Sequence, residues 1–194
     1  MRPNRVHAHH VLTRSLLLPS GVVVAVRPME PRDIESLQSY IRGLTQASRR
    51  NRFLGALNEL ALAELKRLSD LDHSVEAALI AEVQIASARR VIGEARYAMI
   101  TDGGTCEVAL SVSDSWQRRG LGSALLGMLE SRAQALGACC IVAEALYSNE
   151  AVKALTAKLG FRIRPVVNDV RLVRMVKAIR PLAFCSLSPT SVSA

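Results

Sequence analysis

The clearest amphipathic run in the chain lies between residues 121 and 136. Leu121, Leu125, Met128, Leu129, Ala133 and Leu136 recur at helical spacing on one side, and Gly137 ends the run. Residues 106–112 before it alternate. Val108, Leu110 and Val112 share one face of a strand, expected to meet the core; Glu107, Ala109, Ser111 and Ser113 share the other. Residues 139–143 are apolar throughout, as in a strand buried on both faces. Tyr147-Ser148-Asn149 reads as a turn, with Ser148 or Asn149 capping a second helix that carries Val152, Leu155 and Leu159 and stops at Gly160. Residues 161–167 and 170–179 then form paired strands around Asn168-Asp169.

The first half continues the alternation. Residues 22–28 are valine-rich and read as a strand. Pro31-Arg32-Asp33 opens a helix bearing Ile34, Leu37, Tyr40, Ile41 and Leu44. Residues 48–53 read as a basic link. Asn58 is the expected cap of another helix, with Leu60, Leu62, Leu65 and Leu68 behind it. Residues 75–83 and 91–100 read as a hairpin about Ala88-Arg89-Arg90, and Asp102-Gly103-Gly104 turns into the strand at 106. The pattern predicts one α/β domain over residues 21–180. Residues 1–20, with His7, His9 and His10, are expected to be a partly disordered extension, and 181–194 a loose serine-rich tail.

Composition narrows the picture. No run of 18 apolar residues exists, so no membrane span is expected and a cytoplasmic protein is the default. Cys106, Cys139, Cys140 and Cys185 lack paired C-x-x-C spacing; they are expected to be reduced and mostly buried, with no metal site. The net charge of +8 either hydrates the surface or suits an anionic ligand or acidic partner. Aromatics at 4% are too few for base-stacking platforms, which disfavours nucleic acid.

The candidate chemistry sits between the strand at 106–112 and the helix at 121. Gln117-Arg118-Arg119-Gly120-Leu121-Gly122-Ser123 is a bare, basic turn opening a helix. Unpaired first-turn N–H groups and the positive helix end favour a bound phosphate. A P-loop needs Gly-Lys-Ser/Thr, but Ser123 and Ala124 follow Gly122. A dinucleotide fingerprint needs a third glycine where Leu125 stands, although Glu144 imitates the ribose-binding acid. The coenzyme A pyrophosphate loop, Gln/Arg-x-x-Gly-x-Gly/Ala, is satisfied throughout.

With the elements around it, this motif resembles the acetyl-CoA-binding half of the GNAT superfamily of N-acetyltransferases. The order is strand, Q-x-x-G-x-G, helix, buried strand, Asn149, second helix, then Lys158-Leu159-Gly160-Phe161. Val26-Arg27-Pro28, Pro31-x-Asp33, Ser48-Arg49-Arg50-Asn51-Arg52-Phe53 and Gly93-Glu94-Ala95-Arg96-Tyr97 are similar to bacterial protein lysine acetyltransferases of the Pat type. The likeness spans roughly residues 22–178. It implies a GNAT-like acyl-CoA N-acyltransferase fold: a mixed central sheet with a splayed parallel strand pair and helices on both faces. It implies acetyl-CoA as cosubstrate, a small amine or protein lysine as acceptor, and Glu107 as general base.

The resemblance also implies that Leu110, Ser111 and Val112 line the pantetheine arm. Gln117, Arg118, Arg119, Gly120, Leu121, Gly122 and Ser123 would hold the pyrophosphate. Asn149 either contacts the arm or caps its helix. Glu94 and Glu144 are weaker candidates for the base. Arg49, Arg50 and Arg52 either hydrate a loop or contact the coenzyme or an acidic target. Thr156 stands where many members carry a tyrosine acid, which leaves protonation of the departing thiolate unassigned. A non-catalytic acyl-CoA-binding module on the same fold is the alternative, and a homodimer is left open.

Overall fold

The structure, a computed structural model, describes residues 12–100 and 104–180. Its strands are β1 (Arg14–Leu17), β2 (Val23–Pro28), β3 (Glu76–Ile85), β4 (Ala88–Met99), β5 (Thr105–Val112), β6 (Cys140–Leu146), β7 (Arg162–Val166) and β8 (Asp169–Ala178). Its helices are α1 (Ile34–Gly43), α2 (Gln46–Phe53), α3 (Leu62–Leu68), α4 (Leu121–Ala135) and α5 (Glu150–Lys158). The strands form one sheet in the order β1-β2-β3-β4-β5-β6-β8-β7. Among the described strands, only β5 and β6 pair in parallel.

Strand alternation splits the core between two faces. Ala77, Leu79 and Ala81 of β3 join Ala95, Tyr97, Val108 and Ile141 beneath Leu121, Leu125 and Leu129 of α4. The intervening Ala78 and Ile80 meet Leu37, Tyr40 and Ile41 of α1 with Leu65 and Leu68 of α3. The mixed sheet is therefore sandwiched, with α4 and α5 on one side and α1 to α3 on the other. No helix among the described residues is long and apolar enough to cross a membrane.

Several expectations are corrected. Residues 48–53 are not a link but most of α2, whose cap Thr45 accepts from Ser48 N at 3.2 Å. Nothing in α2 is fully buried, so no apolar stripe marked it. Asn58 caps nothing: Gln38 grips both main-chain groups of Leu60, at 2.9 and 3.1 Å, and α3 starts only after Ala61. The β3–β4 turn is centred on Ala86, at φ 51°, while Arg89 and Arg90 already pair with Gln84 and Val83. A two-residue turn favours that tighter closure.

β1 lies in the stretch expected to be extension. It forms an edge strand on β2, anchored by buried Leu12 and Leu18. Cys106 and Cys140 are free, whereas Cys139 is disulfide-bonded, against the expectation of reduced thiols. The chain closes back at that point, with Ile179 N donating to Cys139 O at 2.8 Å. His7, His9, His10, Cys185, the Asp102-Gly103 turn and the serine-rich tail lie outside the described residues.

Leu125 joins α4 to the sheet and is 1% exposed. Leu125→Ala is expected to lower stability by about 2–5 kcal/mol through lost burial and a residual cavity. Urea unfolding checks this, with a smaller midpoint and an unchanged slope.

Candidate functional site

β5 and β6 pair only over Thr105–Cys140, Cys106–Ile141 and Glu107–Val142. Beyond that rung both strands continue, to Val112 and Leu146, without further pairing to each other. Ser113 N donates across to Ile92 O of β4 at 2.8 Å. Alternation therefore turns the main-chain groups of Val108, Leu110 and Val112 toward β6, where the rungs have stopped. A cavity of about 460 Å³ fills this opening. Val108 to Val112 form one wall and Ala143 to Ala145 the other. Asn149, Leu155 and Thr156 of the α5 region complete it.

The basic turn closes one end. Arg118 (φ 58°) and Gly120 (φ 89°) both have left-handed backbone, so the chain bends sharply into α4. A side chain at Gly120 would be strained there, and its Cβ would stand 3.1 Å from Pro19 Cδ. Ala124 N is the first amide of α4 with a main-chain acceptor, Gly120 O at 3.1 Å. The N–H groups of residues 118–123 have none among the described residues. Arg118 and Arg119 are exposed beside them; Arg119 lies 5.1 Å from the Trp116 ring centroid. Amides without acceptors, a helix start and the Arg118 guanidinium are groups of the kind that suit an anion.

α2 supplies the remaining wall through Ser48, Asn51 and Arg52. Asp114, at the start of the turn, accepts from Thr45 N (3.0 Å), Thr45 Oγ1 (2.8 Å) and Ser48 Oγ (2.7 Å). Gln117 Nε2 donates to Val112 O at 3.1 Å and Ser48 Oγ at 3.3 Å. One carboxylate and one amide thus lock helix, strand end and turn together. At its other end Arg52 pairs with buried Glu94 through a short Nε contact and an Nη2 bond of 3.1 Å. Glu94 also accepts from Arg96 Nε at 3.1 Å and Ser111 Oγ at 2.8 Å. Because the Ser111 hydroxyl donates to Glu94, the Tyr40 hydroxyl is the donor to Ser111 Oγ, 2.9 Å away.

These contacts set the protonation states. Burial alone would raise the Glu94 carboxyl; the Arg52 and Arg96 charges, with bonds from Arg52 and Ser111, bring it down to about 2. Burial, with Glu94 nearby, pushes the Tyr40 phenol well above its ordinary value. Glu94 is thus a fixed anion holding α2 to β4, and its lone pairs are already occupied.

The sequence candidates fall into groups. Leu110, Ser111, Val112, Gln117, Arg118, Gly120, Gly122, Ser123 and Asn149 line the cavity. Leu121 does not, being fully buried in the core, and Arg119 stands on the outer side of the turn. Asn149 caps α5, accepting from Val152 N at 3.2 Å, and also faces the cavity. Thr156 reaches the cavity wall, but its hydroxyl donates to Val152 O at 2.8 Å. Glu144 lines the cavity and is held by Arg174 at 2.6 Å. Glu107 is exposed on the last shared rung, outside the cavity lining, with no ion pair among the described residues. Arg49 caps α1 by donating to Arg42 O at 3.0 Å and to Leu44 O, and Arg50 is exposed.

Sequence reasoning missed Tyr40, Ser48 and Asn51 as parts of this site. Tyr40 was legible only as a core position, and the other two only as link residues.

The model of the Acetyltransferase (GNAT) family matches residues 46–161. An acetyltransferase of Pseudomonas aeruginosa is 33% identical over 144 residues, covering 74% of this chain and 77% of that one. The crystal structure of the GNAT domain of S. lividans PAT superposes with TM-score 0.77 at 25% identity, over 87% of this chain and 97% of that one. Mycobacterium smegmatis RimJ, solved in complex with CoA-disulfide, superposes with TM-score 0.63 at 19% identity, over 86% of each chain.

Glu94 has a pH signature. Its folded pKa, about 2, lies below its unfolded value near 4.3–4.5, so its stabilisation is complete above that range and lost as pH falls toward 2. Arg52→Met leaves the buried carboxylate short of a partner, an expected loss of about 3–5 kcal/mol at neutral pH. Urea titrations between pH 2 and 4.5 should show a shallower pH dependence in the variant than in the wild type.

Proposed function

The chain belongs to the GNAT family of acetyltransferases, and on that premise we propose that it moves the acetyl group of acetyl-CoA onto an amine nitrogen, a protein lysine being the favoured acceptor. Acetyl-CoA is the acyl donor of the family. One observation carries the reading. The opening between β5 and β6 presents main-chain groups with no strand partner along one wall and leads to a turn with six amides that have no acceptor among the described residues. A pantetheine arm would pair with Leu110 and Val112 as an added strand pairs with a sheet edge. The amides of residues 118–123, with Arg118, suit a diphosphate.

The donor supplies a thioester carbonyl, and the chain's residues do the rest. Leu110 and Val112 orient the acyl end, and the Val112 N–H stabilises negative charge developing on the carbonyl oxygen. Holding the two reactants together supplies up to about 7–11 kcal/mol of the barrier. The acceptor nitrogen must be neutral to attack, yet a free lysine at pH 7 is neutral in only about one molecule in 2,500. Glu107 takes that proton, directly or through one water, as the N–C bond forms and the C–S bond breaks. Its exposure on the face away from α4 gives an amine access from the side opposite the phosphate turn. Thr156 keeps its hydroxyl proton on Val152 O, so water protonates the departing thiolate.

The same Thr156 bond favours a second reading, a module that binds acyl-CoA without turnover. Glu107→Gln separates the two. The first reading expects kcat to fall by about 10²–10⁴ with the acetyl-CoA Kd unchanged. Isothermal titration and a thiol-release assay measure both quantities. Wild-type protein that binds acetyl-CoA yet acetylates no amine supports the second reading instead.

A further inference from the structure

Beyond β5, one face of the sheet is covered by α4 and α5; on the other, α2 reaches β6 and leaves β7 open. Ile141, Val173 and Met175 point into the core under α4 and α5. The core layer beneath α1 and α3 includes no residue of β6, β7 or β8. On that open face one rung runs from Glu107 to Val142, Val176 and Arg162. The next runs from Glu144 to Arg174 and Arg164. Val142 and Val176 are half-buried and make an apolar floor, while Arg162 and Arg164 are exposed. Glu144 and Arg174 neutralise each other at 2.6 Å. Arg162 and Arg164 have no acidic partner among the described residues, so the far side of this face carries two uncompensated positive charges.

We infer that this face docks an acidic segment of a protein acceptor, with the target lysine at Glu107 and acidic side chains on Arg162 and Arg164. The inference rests on the acetyltransferase reading above and names the substrate class for it. The geometry sets a spacing. Glu107 and Arg162 lie three strands apart, roughly 14 Å at about 4.8 Å per strand. An extended peptide rises about 3.3 Å per residue, so the acidic side chain falls about four positions from the lysine. Guanidinium forks are suited to carboxylates. A lysine flanked by basic residues would meet like charge and be rejected. The competing explanation is that β7, an edge strand with Pro165 directly after Arg164, carries charge only to block strand addition.

Short peptides with one lysine and glutamate, alanine or arginine about four positions away on either side test this. The readout is the ratio of kcat/KM for the glutamate peptide to that for the alanine peptide. The expected ratio is about tenfold, carried by KM, with the arginine peptide below both. It should shrink in 1 M salt, where screening acts over about 3 Å. In the exposed charge reversal Arg162→Glu/Arg164→Glu the order should invert, and in Arg162→Gln/Arg164→Gln the ratio should approach one. Equal rates for all three peptides overturn the inference and leave the acetyltransferase reading standing. No acetylation of any peptide or free amine overturns both. Inhibition by short DNA without any preference among peptides assigns the face to nucleic acid and overturns the inference.

Discussion

Main-chain donors and acceptors that leave a sheet need other partners. β5 and β6 separate after Glu107 and Val142, so the inward main-chain groups of Val108, Leu110 and Val112 lose the neighbour that parallel pairing would have given them. The separation is held open from both sides. Val112 is buried beneath α4, and Ala145 and Leu146 are buried with β8 beside them. Strand pairing on the outer flanks of β5 and β6 is continuous, so the sheet tolerates the gap without losing its register. The result is a slot whose polar groups suit an extended molecule with amide groups of its own.

Charge locks the walls of that slot. Asp114 ties the start of α2 to the basic turn, and the Arg52–Glu94 pair ties its end to β4. α2 has no buried apolar residue of its own, so these polar contacts fix its place. A wholly buried carboxylate is costly without partners. Glu94 meets that cost with two guanidinium groups and the Ser111 hydroxyl, which in turn connects to Tyr40 of α1. The two helices over this face and the strand lining the slot are therefore tied together through one polar network. Such cross-links matter because reacting groups misplaced by an ångström lose much of the advantage of proximity.

Much of this was legible in the chain. The helical stripe from Leu121, the alternation at 106–112 and the turn at 117–122 identify the strand–turn–helix unit that closes one end of the slot. The continuous apolar run at 139–143 marks the second wall. What escaped was long-range. α2 shows only arginines and small polar residues in sequence, and its helical state depends on Thr45 and on Asp114 sixty-nine positions away. β1 has four residues and an exposed edge, too short for alternation to register. Glu94 looks like an ordinary strand glutamate until Arg52 is folded onto it. Thr156 could be named as a departure from the family pattern, but not that its hydroxyl is already bonded to Val152.

The central claim is that the slot and the basic turn receive one extended ligand, acetyl-CoA. Amide hydrogen exchange on the full chain, with and without saturating acetyl-CoA, tests it at the residues concerned. The account predicts slower exchange at residues 118–123 and at Val108, Leu110 and Val112, with little change in β2 and β3. Unchanged exchange across the turn and the β5 edge, in protein that is folded and fully exposed to the ligand, would contradict it.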